Sequence, residues 1–434
     1  MGHKRVDPYG SLTFFLETIM HSTFKALWAI DDGYGDTNTA RFVIKDGELA
    51  IDCQRRPSFL TYGLMPSLEG AVCMDVESNG ETSQFTAAKQ LMGRDSRINI
   101  FNDAYPGSPY NAALIGSALA EHDCPVGSFQ LVSGLPVQNF YDLHSASMDL
   151  SVNSQVARKR TMLASRSVSV HGAHESGVRE YRFPEETHTV VSEAAGVLIN
   201  VLIDDHGQRQ NDWLFDGLDN GYVITIDMGS RTTDVCGLTQ DLTPIRHRMK
   251  TITVGLNDVH ADFKGALLQD TDLCHRAALT ENNLSDDKVR DLFAKGYVVT
   301  VRDKKRAQVS VADKAERAFR GIVQHKIIPH LTNIEDDLSD IAGIILAGGG
   351  AAIGGYMQQA FRAALELDID VVHDNQALLQ NGDAIESDAE QGRTVLCAPN
   401  PEYANVRGFL KYLAFLKHEL TITDQMLAGL TVIK

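Results

Sequence analysis

The pattern Ile-Asp-x-Gly occurs twice in this chain, as Ile30-Asp31-Asp32-Gly33 and as Ile226-Asp227-Met228-Gly229, each time at a strand–turn–strand junction. Residues 26–32 (ALWAIDD) read as a buried strand, 33–37 as a turn and 40–45 (ARFVIK) as a second strand. Asp46-Gly47 is a hairpin signal, because both central positions of such a turn take positive φ, and 48–53 (ELAIDC) follows as a third strand. Residues 222–227, 232–239 and 242–249 repeat that meander. The two motif aspartates lie 196 positions apart, at 31 and 227. Solenoid units recur every ~20–50 residues, so this spacing describes two similar domains in one chain.

Helical spacing appears at 110–121 and 193–202, and a strand at 128–132 ends in Ser133-Gly134-Leu135-Pro136. The basic stretch 158–169 reads as a peripheral hairpin. Beyond the second meander, 258–268 and 286–295 read as helices, 304–309 as a strand and 312–331 as a long amphipathic helix. A buried strand at 341–346 runs into three glycines, and helices follow at 353–367 and 407–417. Strands alternating with helices define an α/β class. Apolar residues are 43% of the 434, enough to fill two sizeable cores.

Lys plus Arg number 40 and Asp plus Glu 57, a net charge of −17. Such a surface repels phosphate backbones, so direct nucleic-acid binding is not expected and a basic partner protein is. The six cysteines form no C-x-x-C pair. They read as reduced, buried thiols, which favours the cytoplasm. No apolar run reaches 18 residues, so no membrane span is expected. The run at 12–16 is too short for a signal sequence, residues 1–25 read as an extension ahead of the fold, and Met20 is an alternative start.

Four motifs carry chemistry. The first is Asp31, Asp32, Gly33, Tyr34, Gly35, Asp36, Thr37 and Asn38. A tight turn here directs backbone N–H groups into one concavity, the glycines leave room for phosphate, and Asp31 suits a hydrated Mg²⁺. The second, Asp227, Met228, Gly229, Ser230, Arg231, Thr232, Thr233 and Asp234, supplies the same elements. Two such loops make a clamp for β- and γ-phosphates. In the third, Gly348, Gly349, Gly350 and Ala351 follow a buried strand, and the bare backbone admits a base and ribose. It also fits a plain tight βα turn. No Walker loop is present. The fourth is Glu193 after Ser192, which serves either the helix dipole or the orientation of a water at the γ-phosphate.

This order of motifs resembles the superfamily of actin, heat-shock chaperones and sugar kinases. Within it the chain resembles the prokaryotic actin-like ATPases of the ParM type, through DxGYGDT, the stretch Leu131–Pro136 with Tyr141-Asp142, Ser192-Glu193 and residues 401–409 (PEYANVRGF). The resemblance covers about residues 26–417. It implies two RNase H-like domains flanking a nucleotide cleft, each with a smaller inserted subdomain. The domains fall at 26–220 (insertion 54–108) and 221–434 (insertion 256–335), with the C-terminal helix packing back on the first. It implies ATP, or GTP, with Mg²⁺ held through water by Asp31 and Asp227, and hydrolysis supported by Glu193. It also implies head-to-tail filaments, and DNA segregation through a DNA-binding adaptor protein. One departure is Asn38, which stands where relatives carry a phosphate-contacting lysine; Arg41 or Arg231 is then the replacement cation, or hydrolysis is slower. Two rival readings remain: a small-molecule kinase using Asp234 as base, and a nucleotide switch that does not polymerise.

Overall fold

A computed structural model describes residues 24–89, 98–102, 104–127, 129–142, 151–172, 177–302, 305–332, 341–353, 355–365, 395–423, 427 and 429–433. Of the expected N-terminal extension, residues 1–23, with Met20 and the run at 12–16, lie outside the described residues. Two compact units are present: Met1–Arg209 together with Asn405–Lys434, and Gln210–Ala404.

In chain order the first unit contains β1 (Leu27–Asp32), β2 (Asp36–Lys45), β3 (Glu48–Pro57), β4 (Leu60–Tyr62), β5 (Val72–Ser78), β6 (Glu81–Ala87), α1 (Pro109–Glu121), β7 (Gln130–Leu135), α2 (Val137–Phe140), α3 (Ser154–Ala164), β8 (Arg166–His171), β9 (Val178–Arg182), β10 (His188–Ser192) and α4 (Glu193–Leu202). Its main sheet runs β3-β2-β1-β7-β10: β1 to β3 are an antiparallel meander, and β7 and β10 are parallel to β1. Asp46 and Gly47 form the two-residue turn that closes β2 on β3, with φ of 52° and 89°, as the Asp-Gly signal requires. A second sheet, β4-β6-β5-β8-β9, joins residues 60–87 to 166–182. Helix α1 lies in the same core as β1 and this second sheet: Trp28 and Ile30 share a cluster with Leu114, Ile115, Met74 and Val168. Ser108 caps α1 by accepting from the Asn111 amide, and Pro109 occupies its first turn.

The stretch 158–169, expected as a hairpin, is instead most of helix α3 followed by strand β8. Arg158 is exposed and Arg160 half-buried, and only Lys159 and Leu163 of α3 are buried. A helix with so narrow an apolar stripe leaves little periodicity to read.

The second unit contains α5 (Asp212–Asn220), β11 (Tyr222–Met228), β12 (Thr233–Leu238), β13 (Pro244–Ile252), α6 (Leu256–Gln269), α7 (Thr271–Ala277), α8 (Asp286–Lys295), β14 (Tyr297–Arg302), β15 (Lys305–Ser310), α9 (Ala312–Ile322), α10 (Ile328–Thr332), β16 (Ile341–Ala347), α11 (Gly348–Ala351), α12 (Tyr356–Ala364) and β17 (Val395–Cys397). Its sheet runs β13-β12-β11-β16-β17, antiparallel through the meander and parallel from β11 to β17. Order and directions are those of β3-β2-β1-β7-β10, so the sequence repeat is a repeat of topology. The core of this unit gathers Ile224, Ile226 and Met228 from one face of β11 with Phe263, Phe293, Phe319 and Phe361 from the helices. The expected helix 312–331 is α9 and α10 joined by a π turn, Val323–Ile327.

The chain then returns to the first unit with α13 (Ala404–Lys411), a π turn over Tyr412–Lys417, and β18 (Val432–Ile433), which pairs in parallel with the end of β2. Helix α13 crosses α4 at two glycines: a Cβ on Gly408 would collide with the Gly196 carbonyl, and one on Gly196 with Phe409. Arg407 holds Asp205 at 2.7 and 2.8 Å, and Lys411 donates to the Ile203 carbonyl at 2.8 Å.

Candidate functional site

In open α/β sheets ligands bind beyond the carboxyl ends of parallel strands. In the first unit the neighbours β1, β7 and β10 end at Asp32, Leu135 and Ser192. Successive residues of a strand face opposite sides. Asp32 therefore shares the face of Trp28 and Ile30, which is packed against α1, while Asp31 takes the other. Asp31 is half-buried and Asp32 is buried.

The turn after β1 is fixed by Ser58. Its hydroxyl donates to the Gly33 carbonyl at 2.7 Å and its amide to the Gly35 carbonyl at 2.9 Å, and Thr37 Oγ1 lies 2.9 Å from Ser58 Oγ. The Tyr34 ring packs on Phe101 and Tyr105, with centroids 4.9 and 5.5 Å away. Asp36 pairs with Arg55 at 3.5 Å. Thr37 and Asn38 are buried. With these side chains engaged and the two carbonyls capped, the backbone N–H groups are what the turn can offer a ligand. Arg41 is drawn away from the turn: it pairs with Asp52 at 3.2 Å, donates to the His122 carbonyl at 3.0 Å and lies over Trp28. It is not a cation held for the turn.

Glu193 opens α4 directly after β10 and is half-buried, while every other residue of that helix is buried. Beside it, near the end of β7, Gly134 leaves room chiefly for the Phe409 ring: a Cβ there would lie 2.7 Å from Phe409 Cε2 and 3.0 Å from Glu193 Cγ. Lys159 is not marked out by the sequence, where it is one of three consecutive basic residues. This side chain, 1% exposed, donates to both Asp32 oxygens at 2.8 and 2.9 Å and to the Gly134 carbonyl at 2.8 Å. Its signal was slight: Lys159 stands four residues from Leu163, one helical turn along the buried stripe.

In the second unit β11, β16 and β17 end in parallel at Met228, Ala347 and Cys397. The turn after β11 is pinned by the start of α6. Leu256 and Asn257 donate backbone N–H groups to the Gly229 and Ser230 carbonyls, each at 3.0 Å, and Gly229 N–H donates to Thr232 at 2.9 Å. Thr233 is buried and its hydroxyl donates to Val254 O at 2.7 Å, so that hydroxyl serves the fold. Arg231 is exposed, and Ser230 and Thr232 are half-buried.

Half-buried Asp227 stands directly opposite Asp234 across β11 and β12. Burial pushes the Asp234 carboxyl up to about 7; the Thr251 hydroxyl bonded to it opposes that rise, and the Asp227 charge adds to it. The third motif meets the second here. Gly348 has φ of +82°, and a Cβ on it would strike Asp227 Oδ1 and lie 2.5 Å from the Met228 carbonyl; one on Gly350 would lie 2.7 Å from Met228 Sδ. At Gly349 the nearest atom is an ordinary 3.8 Å away, and Ala351 is buried. Two of the three glycines are thus required by close packing on the β11 tip. Gly348→Ala is expected to lower stability by roughly 2–4 kcal/mol through strain and collision, and Gly349→Ala by under about 1 kcal/mol. Urea melts of the two variants check this; equal midpoints would contradict the packing.

The chain has the actin-like two-domain α/β fold. Residues 225–359 match the family model for the C-terminal region of the archaeal actin homologue MreB-like. An archaeal actin homologue of known structure is 18% identical over 89% of this chain and 99% of its own, with a TM-score of 0.59, and it has also been solved in complex with ADP. A ParM from Clostridium botulinum, solved as a 15-stranded filament, is 17% identical over 89% and 98%, with a TM-score of 0.53. A ParM from Bacillus thuringiensis, solved with AMPPNP, is 11% identical over 91% and 99%, with a TM-score of 0.55. No curated protein sequence matches the chain. No helix of the described residues is long and apolar enough to cross a membrane.

Proposed function

We propose that this protein is an actin-like ATPase that binds ATP with Mg²⁺ and assembles head to tail into filaments, whose lifetime hydrolysis limits. The observation that carries the reading is the duplicated sheet: in each unit the first strand of the meander carries a half-buried aspartate at its penultimate position and runs into a turn whose carbonyls are capped from within the unit. Asp31 and Asp227 are the carboxylates proposed for the hydrated metal. Among the described residues no group of three or more His, Cys, Asp or Glu could hold a metal alone. A single half-buried aspartate in each unit fits Mg²⁺, which takes one or two carboxylates and completes its shell with water and phosphate oxygens; when bound it would neutralise phosphate charge. The backbone of residues 33–38 and 229–233 is proposed for the phosphates, Gly348–Ala351 for the nucleoside, and Glu193 for orienting the attacking water.

The ADP complex, the AMPPNP complex and the filament of the structural relatives support nucleotide binding and self-assembly as the reading for this chain. A head-to-tail contact does not close on itself, so it propagates. The net charge of −17 leaves DNA contact to a basic adaptor protein, with plasmid or DNA segregation in the cytoplasm as the proposed role.

Titration calorimetry and electron microscopy of the purified chain with Mg-ATP, Mg-GTP or magnesium alone test this. Binding heat together with nucleotide-dependent filaments is the expected result, and the two nucleotides read out the base preference. No heat with either nucleotide ends the reading. Binding without filaments at high protein concentration reassigns the protein as a nucleotide switch. Turnover that requires an added hydroxyl acceptor reassigns it as a kinase.

A further inference from the structure

Lys159 is nearly inaccessible and its three N–H donors are all used. Its partners are the last residue of β1 and a carbonyl near the end of β7, adjacent parallel strands of the main sheet. It stands on α3, immediately ahead of β8, the strand that adds the later residues to the second sheet. Around it the packing is tight: a Cβ on Gly107 would lie 3.3 Å from the Lys159 backbone and 2.9 Å from Met162. Asn111 completes the cage, donating to Asp32 Oδ2 while its own Oδ1 accepts from the Gly107 amide at 2.9 Å.

A buried ion pair is a poor stabiliser. An apolar pair of the same volume often does as well, because desolvating two charges offsets their attraction. Stability alone therefore gives no reason for Lys159 and Asp32 to be charged, whereas their location does. Asp32 adjoins Asp31 and the turn at 33–36, and Gly134 lies beside Glu193. One ammonium group ties the β1 end that carries Asp31 to the β7 residue that adjoins Glu193, and it engages the second carboxylate of the Asp-Asp pair.

We propose that Lys159 is a positioning residue of the nucleotide site, clamping the β1 and β7 tips so that Asp31 alone of the pair faces a ligand and Glu193 keeps its place. This rests on the function proposed above. The clamp acts through Asp32 and Gly134 and touches no substrate. Asn38 leaves the first turn without a lysine, and Lys159 is spent on geometry, so it does not replace that charge.

The test uses the full chain carrying Lys159→Met with Asp32→Asn, which removes both charges and leaves neither unpaired, and a second variant, Lys159→Arg, which keeps the charge but moves it. Both are expected to melt within a few degrees of the unaltered protein. ATP turnover is expected to fall about tenfold or more in the double variant and less in Lys159→Arg, with KM changed under about threefold, because small misplacements cost rate before affinity. Amide exchange at residues 33–36 and 134–135 is expected to quicken in both. Wild-type turnover and exchange in both variants overturn the proposal, as does a rise in KM with kcat unchanged. Should the unaltered protein neither bind nor hydrolyse ATP, the functional reading fails by itself. The clamp is then judged by exchange alone, and unchanged protection at 33–36 overturns it.

Discussion

Asparagine in place of Asp234 is expected to stabilise the protein above pH 7 and to flatten its stability between about pH 4 and 7. In the folded protein burial holds the Asp234 carboxyl protonated up to about 7. In the unfolded chain the same group ionises near the ordinary aspartate value of about 3.9. Between those two values the folded state binds the extra proton, so stability falls as pH rises through the window, and above pH 7 the whole penalty is present. The cause is visible: Asp234 is 6% exposed and faces a second carboxylate, Asp227, across the strand pair. An asparagine keeps an oxygen to accept the Thr251 hydroxyl and carries no charge to desolvate. The gain at pH 8 is on the order of 2–4 kcal/mol, and near pH 4.5 the two proteins should nearly coincide. Urea unfolding of both at pH 4.5, 6 and 8 measures it. Parallel stability curves would show that the carboxyl is ionised throughout.

The duplicated motif told most of the fold. Two Ile-Asp-x-Gly junctions 196 positions apart carry the two meanders, the antiparallel part of each repeated sheet. Strands such as β11, apolar from Tyr222 to Ile226 except for Thr225, announce themselves because both faces are buried, and Asp46-Gly47 fixes its own turn by φ preference. The second sheet was not legible. Its strand β8 pairs with β5 between residues 88 to 98 positions apart, from Ser78↔Arg166 to Cys73↔His171, and that pairing has no local signature. Helix α3 was hidden by its charge.

At the candidate site, chemistry singles out the carboxylates and glycines in the sequence, but not their settings. Which of Asp31 and Asp32 lies on the covered face follows from strand alternation only once α1 is known to cover it. The glycines at 348 and 350 answer to Met228 and Asp227, contacts made across parallel strands more than a hundred residues apart. Lys159 reads as one charge in the basic run Arg158-Lys159-Arg160 until the helix turns it inward.

Glu193→Ala is expected to slow phosphate release by about a hundredfold, to leave nucleotide affinity within a few-fold, and to lengthen filament lifetime correspondingly. A carboxylate that polarises and orients an attacking water contributes roughly 10²–10⁴ in rate. Glu193 stands at the carboxyl end of β10 and is the one residue of α4 that is not buried. Its other plausible service is to the helix dipole, worth only ~0.3–1 kcal/mol. The two roles separate cleanly, because α4 is held by packing along its length and by α13 at the Gly196–Gly408 crossing. Losing one first-turn charge should therefore move the melting temperature by no more than a few degrees. If polymer disassembles because hydrolysis weakens its contacts, then slower hydrolysis must prolong it. Phosphate release and sedimentation after nucleotide depletion, run on the same samples, measure both effects. Unchanged turnover with a lowered melting temperature would make Glu193 a dipole residue and leave the attacking water to another group.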